Sequence, residues 1–237
     1  MSELKYKRVL LKLSGEALAG EKGFGVDPQI IKEISSEIVR IHNMGCEVAI
    51  VIGGGNIVRG ISASAEGIDR TTGDQMGMLG TVINCLAMQD AIEKNGIPTR
   101  VMSALKIEAV CEPFIKRKAV RHLEKRRIVI FGAGTGNPYF TTDSAATLRA
   151  IELQADVIMK ATKVDGIYDS DPMKNPDAVK YDTLTYTNAI NQELGVMDTS
   201  AVALCRENNM PILVFKMGDS SMERVVSGES MGTIVTA

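Results

Sequence analysis

Three segments combine glycine turns with residues that suit a bound anion. They are Lys12-Leu13-Ser14-Gly15-Glu16, Gly53-Gly54-Gly55-Asn56-Ile57-Val58-Arg59-Gly60 and Gly132-Ala133-Gly134-Thr135-Gly136-Asn137-Pro138. Each follows an apolar run. A glycine turn at a strand end lets backbone N–H groups approach an anion, and a helix starting there adds the positive end of its dipole. Lys12 and Arg59 set a cation beside two of the turns. Repetition of the pattern points to a site for several phosphates, hence to nucleotide chemistry. Lys12 stands among Val9, Leu10, Leu11 and Leu13, as in a central strand. A lysine there requires an anionic partner, which a phosphate at the adjoining turn would supply. Arg59 follows Gly55 by about one helical turn, so its guanidinium would reach back to a phosphate bidentately.

Competing phosphate motifs fail on spacing. Glycines at 132, 134 and 136 do not make G-x-G-x-x-G, because Asn137 stands where the third glycine belongs and Pro138 interrupts entry into a helix. No Gly-Lys dipeptide occurs, which excludes a Walker A loop, and the His-Arg-Asp and Asp-Phe-Gly pieces of protein kinases are absent. His42 and His122 fall in expected helices without cysteine or carboxylate partners at ligand spacing, so both read as packed or solvated and zinc is not expected. The basic run from Lys116 to Arg127 reads as a solvated helix face or as an anion site for a nucleotide effector. It has no interleaved aromatics for stacking bases.

The elements that must position these residues are legible in outline. Val9–Leu13, Val48–Ile52, 100–102, 128–131, 157–160 and 212–215 read as strands. Asp27-Pro28 opens a helix that Gly45 ends, with Ile30, Ile31, Ile34, Ile38 and Ile41 at helical spacing. Further helices are expected over about 73–95, 112–125, 143–153 and 198–209, with a short last helix and strand. Residues 165–176 are rich in turn signals. Strands alternating with helices predict a mainly parallel sheet covered on both faces, with ligands at the carboxyl ends of the strands. The 237 residues allow one large domain or two small ones. Only 4% are aromatic, so the core must be aliphatic, with 13 methionines as filler. A net charge of −2 gives no global pull on nucleic acid or anionic membranes. Cys46, Cys85, Cys111 and Cys205 are far apart in sequence, as in reduced, mostly buried thiols of a cytoplasmic protein. The first residues carry no long apolar run, so no secretory signal is expected, and no stretch approaches the roughly 20 apolar residues that span a bilayer.

Lys12–Glu16, Gly53–Asn56, Gly73-Asp74, Gly134-Thr135-Gly136-Asn137-Pro138-Tyr139-Phe140-Thr141-Thr142-Asp143 and Lys160-Ala161-Thr162-Lys163-Val164-Asp165-Gly166 stand in an order that resembles the amino-acid kinase superfamily, and within it the bacterial uridylate (UMP) kinase family. The resemblance covers essentially the whole chain and is most specific over Gly134–Asp143. It implies an α/β fold, a three-layer α/β/α sandwich around a mainly parallel sheet, as one domain over 1–237. The acceptor-binding part would be about 1–155 and the ATP-binding part about 156–237. It implies transfer of the ATP γ-phosphate to UMP with Mg2+ brought by ATP and no dedicated metal site.

By the same resemblance Lys12, Arg59, Asp143 and Asp198 are catalytic, Asp143 and Asp198 orienting Lys12 and ordering the metal. Lys12, Leu13, Ser14, Gly15, Gly55, Arg59, Thr162, Tyr168 and Asp171 would hold ATP. Gly54, Asp74, Thr135, Gly136, Asn137, Pro138, Tyr139, Phe140, Thr141 and Thr142 would hold UMP, with Asp74 on the ribose. Gly20, Glu21, Lys22, Gly23, Phe24, Gly25, Asp90, Arg100 and Arg127 match positions linked to GTP. The resemblance further implies a cytoplasmic homohexamer of pyrimidine biosynthesis, activated by GTP and inhibited by UTP, without nucleic-acid or membrane partners. Two other classes fit the same scaffold: a kinase acting on acetylglutamate, aspartate or carbamate, and a non-catalytic nucleotide sensor. Lys12, Asp143 and Asp198 together argue against the sensor.

Overall fold

The computed structural model describes residues 4–58, 67–218 and 220–237. The apolar runs become the sheet. Among the described residues, nine strands form it in the order β4-β3-β5-β2-β1-β6-β10-β11-β9. These are β1 Arg8–Leu13, β2 Glu47–Ile52, β3 Thr99–Ser103, β4 Glu112–Pro113, β5 Ile128–Gly132, β6 Val157–Thr162, β9 Thr183–Thr185, β10 Ile212–Lys216 and β11 Thr233–Thr236. The pairs from β4 to β10 are parallel; β11 runs antiparallel to β10, and β9 is parallel to β11. A separate antiparallel pair joins β7 (Ile167–Tyr168) to β8 (Lys180–Tyr181).

Both sheet faces are buried, which is why the central strands are continuous apolar runs rather than alternating ones. Leu10, Val51, Val129, Ile158 and Val214 pack on one side with α3 (Lys116–Glu124), α4 (Thr142–Leu153), α5 (Tyr186–Asn191) and α6 (Thr199–Glu207). Leu11, Ile50, Ile130, Met159 and Phe215 pack on the other with α1 (Pro28–Asn43), α2 (Arg70–Glu93) and α7 (Ser221–Val226). The chain passes from β1 to β2 on one flank and returns with β6 on the other. The crevice at the carboxyl end of β1 is therefore the switch point at which open α/β sheets bind ligands.

Local signals account for most element ends. The Asp27 carboxylate caps α1, accepting from the N–H groups of Gln29 at 2.8 Å and Ile30 at 3.2 Å. Residues 112–125 are not one helix. Glu112-Pro113 pairs with Met102-Ser103 as an edge strand, and α3 starts only at Lys116. A residue before proline is driven to extended backbone, and proline is tolerated on an edge. The turn-rich segment after β6 contains β7, which pairs with β8 just beyond it, and β9 and α5 follow, none of which the periodicity predicts.

His42 is packed, as expected, with its ring Nε2 against the Arg126 carbonyl. The cysteines are free. Burial pushes the Cys46 thiol up to about 12 and Cys205 to about 11, and it raises Cys85 as well. A thiol is reactive only as thiolate. At pH 8 a thiol reagent is therefore expected to label the half-buried Cys111 alone in the native protein, with the other three released only by denaturant. Peptide mapping of the labelled protein checks this, and early labelling of Cys85 would contradict the buried placement.

Candidate active site

Glycine is required at the first turn by close approach. A Cβ on Gly15 would lie 2.5 Å from the Gly53 carbonyl oxygen and 2.6 Å from Asn56 Oδ1. The first two glycine turns thus pack against each other. Gly54 is pressed against α2, where a Cβ would meet the Gly77 carbonyl oxygen at 2.6 Å. Asn56 and Asn84 lock this junction by exchanging amide hydrogen bonds of 3.0 and 2.7 Å, both buried. The third turn joins through Ala133, whose N–H donates to Thr81 Oγ1 at 2.7 Å.

Lys12 lies on β1 directly beside Lys160 on β6. Its partner within the chain is a carboxylate: Lys12 Nζ is 2.6 Å from Asp143 Oδ1, and Lys160 Nζ is 3.3 Å from Asp143 Oδ2. Lys160 also donates to the Val196 carbonyl. Burial draws the Lys160 ammonium below the ordinary lysine range; the Asp143 charge opposes this and Lys12 adds to it. Asp143 is not the cap of α4. Thr141 is, accepting from the N–H groups of Asp143 and Ser144, which leaves the Asp143 side chain to the lysines.

Thr141 in turn donates to Asp198, which also accepts from Ser200 Oγ at 2.6 Å, Ser144 Oγ at 3.3 Å and the Ala201 N–H at 2.7 Å as cap of α6. Burial alone would raise the Asp198 carboxyl, but these hydrogen bonds outweigh it and hold it below the usual carboxylate range. Asp143 and Asp198, far apart in sequence, thus share one corner through the first turn of α4.

Three cavities lie beside this corner, lined by its neighbours Thr141, Thr142, Lys12 and Lys160. The first, about 540 Å3, is lined by Gly54, Gly55, Thr135, Asn137, Phe140, Thr141 and Thr142, with Glu16, Met78 and Thr81 completing its walls. The second, about 660 Å3, holds Lys12, Ser14, Lys160 and Thr162, and shares Glu16 with the first. The third, about 390 Å3, is lined by Tyr168, Asp171 and Val196, and shares Lys160 and Thr162 with the second. They adjoin one another through these shared lining residues, near the carboxyl ends of the strands.

Asp74 lies at the rim of the first cavity. It pairs with Arg70 at 2.9 Å and accepts the Tyr139 N–H at 2.8 Å, while the Arg70 guanidinium sits 5.6 Å from the Tyr139 ring centroid. Tyr139 has a φ of 70°, strained for a side chain of its size. Gly136 and Pro138 belong to the same turn as Tyr139. The Leu13 side chain is fully buried in the core, leaving only its backbone at the turn. Tyr168 donates to Asp165 at 2.6 Å, and Asp171 pairs with Lys174 at 3.5 Å on the outer rim. Arg59 lies outside the described residues.

The residues matched to GTP fall in two places. Arg100 contacts Glu93 and Glu112, each at 3.7 Å, Glu112 meets His122 at 3.2 Å, and His122 Nδ1 meets Arg127 at 3.1 Å. His122 therefore has a carboxylate neighbour that its sequence context did not reveal. Asp90 pairs with Lys94 at 2.5 Å on α2. The Gly20–Gly25 loop, with Glu21, Lys22, Gly23 and an exposed Phe24, is tied instead to the second glycine turn, where Asn56 bonds both the N–H and the carbonyl of Gly25.

Lys160 is the site residue that sequence reasoning left without a role. Its signal was the same as that of Lys12, a lysine closing a buried apolar strand. Met78 and Thr81 of α2 were also missed, because nothing in a helical periodicity says which turn borders a cavity. A G-x-S-x-G spacing occurs at Gly228–Gly232, but it joins α7 to β11, whereas a nucleophile elbow needs a strand-to-helix turn. Among the described residues, no group of three or more His, Cys, Asp or Glu could hold a metal ion, and no helix is long and apolar enough to cross a membrane.

A parallel sheet with glycine turns, two lysines and a shared carboxylate at its switch point defines a phosphate-handling α/β protein. The chain belongs to the amino acid kinase family, whose model matches residues 7–216. Within that family it is similar to the uridylate kinases of Xanthomonas oryzae pv. oryzae and Xanthomonas axonopodis pv. citri, each 59% identical over 236 residues, covering 99% of this chain and 98% of those proteins. Its structure is similar to the crystal structure of UMP kinase from Bacillus anthracis, with a TM-score of 0.95 and 43% identity over 98% of this chain and 96% of that one. The UMP kinase from Ureaplasma parvum superposes with a TM-score of 0.92 and 38% identity, over 98% of this chain and 100% of that one.

Proposed function

We infer that this protein is an ATP-dependent UMP kinase. A phosphate oxygen of UMP attacks the γ-phosphorus of ATP, the bond from that phosphorus to the β-phosphate oxygen breaks, and UDP and ADP leave. The observation that carries this reading is the set of three adjoining cavities, the middle one lined by Lys12 and Lys160, whose ammonium groups share the Asp143 carboxylate. A reaction between two phosphorylated nucleotides needs two binding compartments and a cationic junction.

The nucleophile is already anionic at neutral pH, so no general base is required. Catalysis reduces to positioning and neutralising charge. Lys12, the turn amides near Ser14, Gly15 and Gly55, and Arg59 would hold the transferring phosphate. Gly54, Asp74 and the Thr135–Thr142 turn, with Gly136, Asn137, Pro138, Tyr139, Phe140 and Thr141, would hold UMP. Leu13 would hold ATP from the first glycine turn, and Thr162, Tyr168 and Asp171 from the other side, so the chain before about residue 155 would be mainly the acceptor part and the rest mainly the ATP part of one domain.

The donor set fits a magnesium ion that arrives on ATP, since Mg2+ commonly uses one or two carboxylates plus substrate phosphates. Asp143 and Asp198 are the carboxylates at hand, both already hydrogen-bonded or ion-paired. Such an ion supplies charge neutralisation at the phosphates. An adenosine triphosphate and UMP assay of ADP release, run beside acetylglutamate, aspartate and carbamate, tests the reading. UMP alone should support turnover; turnover of acetylglutamate instead would transfer the chain to another branch of the family.

UDP as product fits a role in pyrimidine nucleotide synthesis, and a cytoplasmic location is part of the same reading. Self-association to a homohexamer is supported by the exposed stripe Met76, Leu79 and Ile83 on α2, spaced to cover one helix face. For GTP activation and UTP inhibition, Arg100 and Arg127 supply an anion site joined through Glu112 and His122. The Gly20–Gly25 loop, bonded to Asn56, supplies a route to the groove. Coupling of about 1–3 kcal/mol would shift UMP kinetics by roughly 5–150-fold if expressed in affinity. Arg127→Ala should abolish the response to a GTP titration while basal rate stays nearly intact. A flat response in the parent would reduce the basic run to a solvated face.

A further inference from the structure

We propose that Lys160 is a positioning residue for phosphoryl transfer, dividing the Asp143 carboxylate with Lys12 and fastening it to the Val196 carbonyl. This rests on the kinase reading above. Three observations on one side chain carry it.

The first is registry. Lys12 and Lys160 are paired across adjacent parallel strands, so their side chains leave the same face of the sheet side by side. Two ammonium groups so close repel unless an anion lies between them. Asp143 is that anion, giving one oxygen to each lysine.

The second is charge. A lone Lys12–Asp143 pair would be neutral and would offer an incoming phosphate no net attraction. With Lys160 two cations stand on the Asp143 carboxylate, and the added ammonium offsets part of the negative charge that Asp143 and nearby Asp198 bring to this corner. Lys160 thus frees Lys12 to act on a phosphate without leaving Asp143 unpaired.

The third is where Lys160 is fastened. Its ammonium reaches the Val196 carbonyl, two residues before Asp198. Asp143 sits on α4 and Val196 on the segment leading into α6. Lys160 is therefore the strut between the two carboxylate-bearing segments, and its side chain is only 14% exposed. With two of its three donors committed to those acceptors, it acts through Asp143 and Lys12.

The test compares Lys160→Met, Lys160→Gln and Lys160→Arg with the parent, measuring kcat, KM for UMP and ATP, and thermal melting. Misplacement of a catalytic group by about 1 Å can cost ~10²-fold. Lys160→Met is expected to lower kcat by roughly 10–100-fold, with KM for UMP changed less than about threefold. Lys160→Arg, which keeps the charge and the donors, should recover part of that loss, and Lys160→Gln less. In a Lys12→Ala background the Lys160→Met substitution should cost almost nothing further, because residues acting as a unit are non-additive.

A folded Lys160→Met protein with parental kcat would overturn the proposal. So would an undiminished effect in the Lys12→Ala background, which would mean an independent role. If Lys160→Met does not fold, the Arg and Gln variants decide: equal kcat in both overturns the charge argument. A parent that fails to phosphorylate UMP at all overturns the kinase reading instead, and the two failures are separate results.

Discussion

Lys12→Ala is expected to lower kcat by roughly 10²–10³, the effect of losing one preorganised charged donor at a transition state. The reasoning starts from the cluster. With Lys12 gone, Asp143 keeps Lys160, so the carboxylate is not stranded, but the junction loses one of its two ammonium groups. The phosphate then meets one positive charge fewer where its own charge must be spread. Stranding a buried charge outright costs about 3–5 kcal/mol. Since Asp143 stays paired, the stability loss should fall well short of that. β1 also keeps its apolar contacts on both faces through Val9, Leu10, Leu11 and Leu13. Steady-state kinetics and a melting curve on the same preparation check both halves. A kcat within about threefold of the parent would remove Lys12 from the mechanism.

Among nucleoside monophosphates, UMP is expected to turn over at least ~10²-fold better than AMP or GMP. The cavity proposed for the acceptor is about 540 Å3 and mixes apolar walls such as Met78 and Phe140 with Thr135, Asn137, Thr141 and Thr142. The Thr135–Asn137 turn already bonds to itself, with the Asn137 N–H on Thr135 Oγ1 at 3.2 Å and the Asn137 amide on the Thr135 carbonyl at 3.3 Å. Polar groups preset in this way suit one base edge. A purine would leave buried donors or acceptors unpaired, and each such group costs about 1–3 kcal/mol. The measurement is kcat/KM for each acceptor with magnesium and ATP. Comparable use of AMP would show that the turn does not read the base.

Much of the scaffold could be read from local chemistry because local chemistry decides it. The largely apolar runs of four or five residues before the glycine turns suit strands buried on both faces, and Asp27-Pro28 is a helix start by backbone geometry alone. The edge elements resisted. β4 is two residues long, and β9 is three, with Thr183 and Thr185 exposed on either side of Leu184. Such strands carry no periodic signal, and their pairing is set by what already lies beside them.

The site divides in the same way. That Lys12 needs an anion followed from its apolar neighbours, and that the glycine turns gather at one end followed from a parallel sheet. Which anion answers Lys12 did not follow. Asp143 stands 131 residues away and looked like a helix cap, until Thr141 took the cap and freed it. Lys160 was visible as a second lysine ending a buried strand, but its registry beside Lys12 exists only because β6 returns to the opposite flank of β1 from β2. By itself the sequence determined the residue types, the strands that carry them and the kind of ligand they suit, since burial and turn chemistry act over a few residues. The tertiary structure alone decided that two lysines share one carboxylate at the meeting of three cavities, because charge pairing depends on distance in space, and strand order rather than chain order sets that distance.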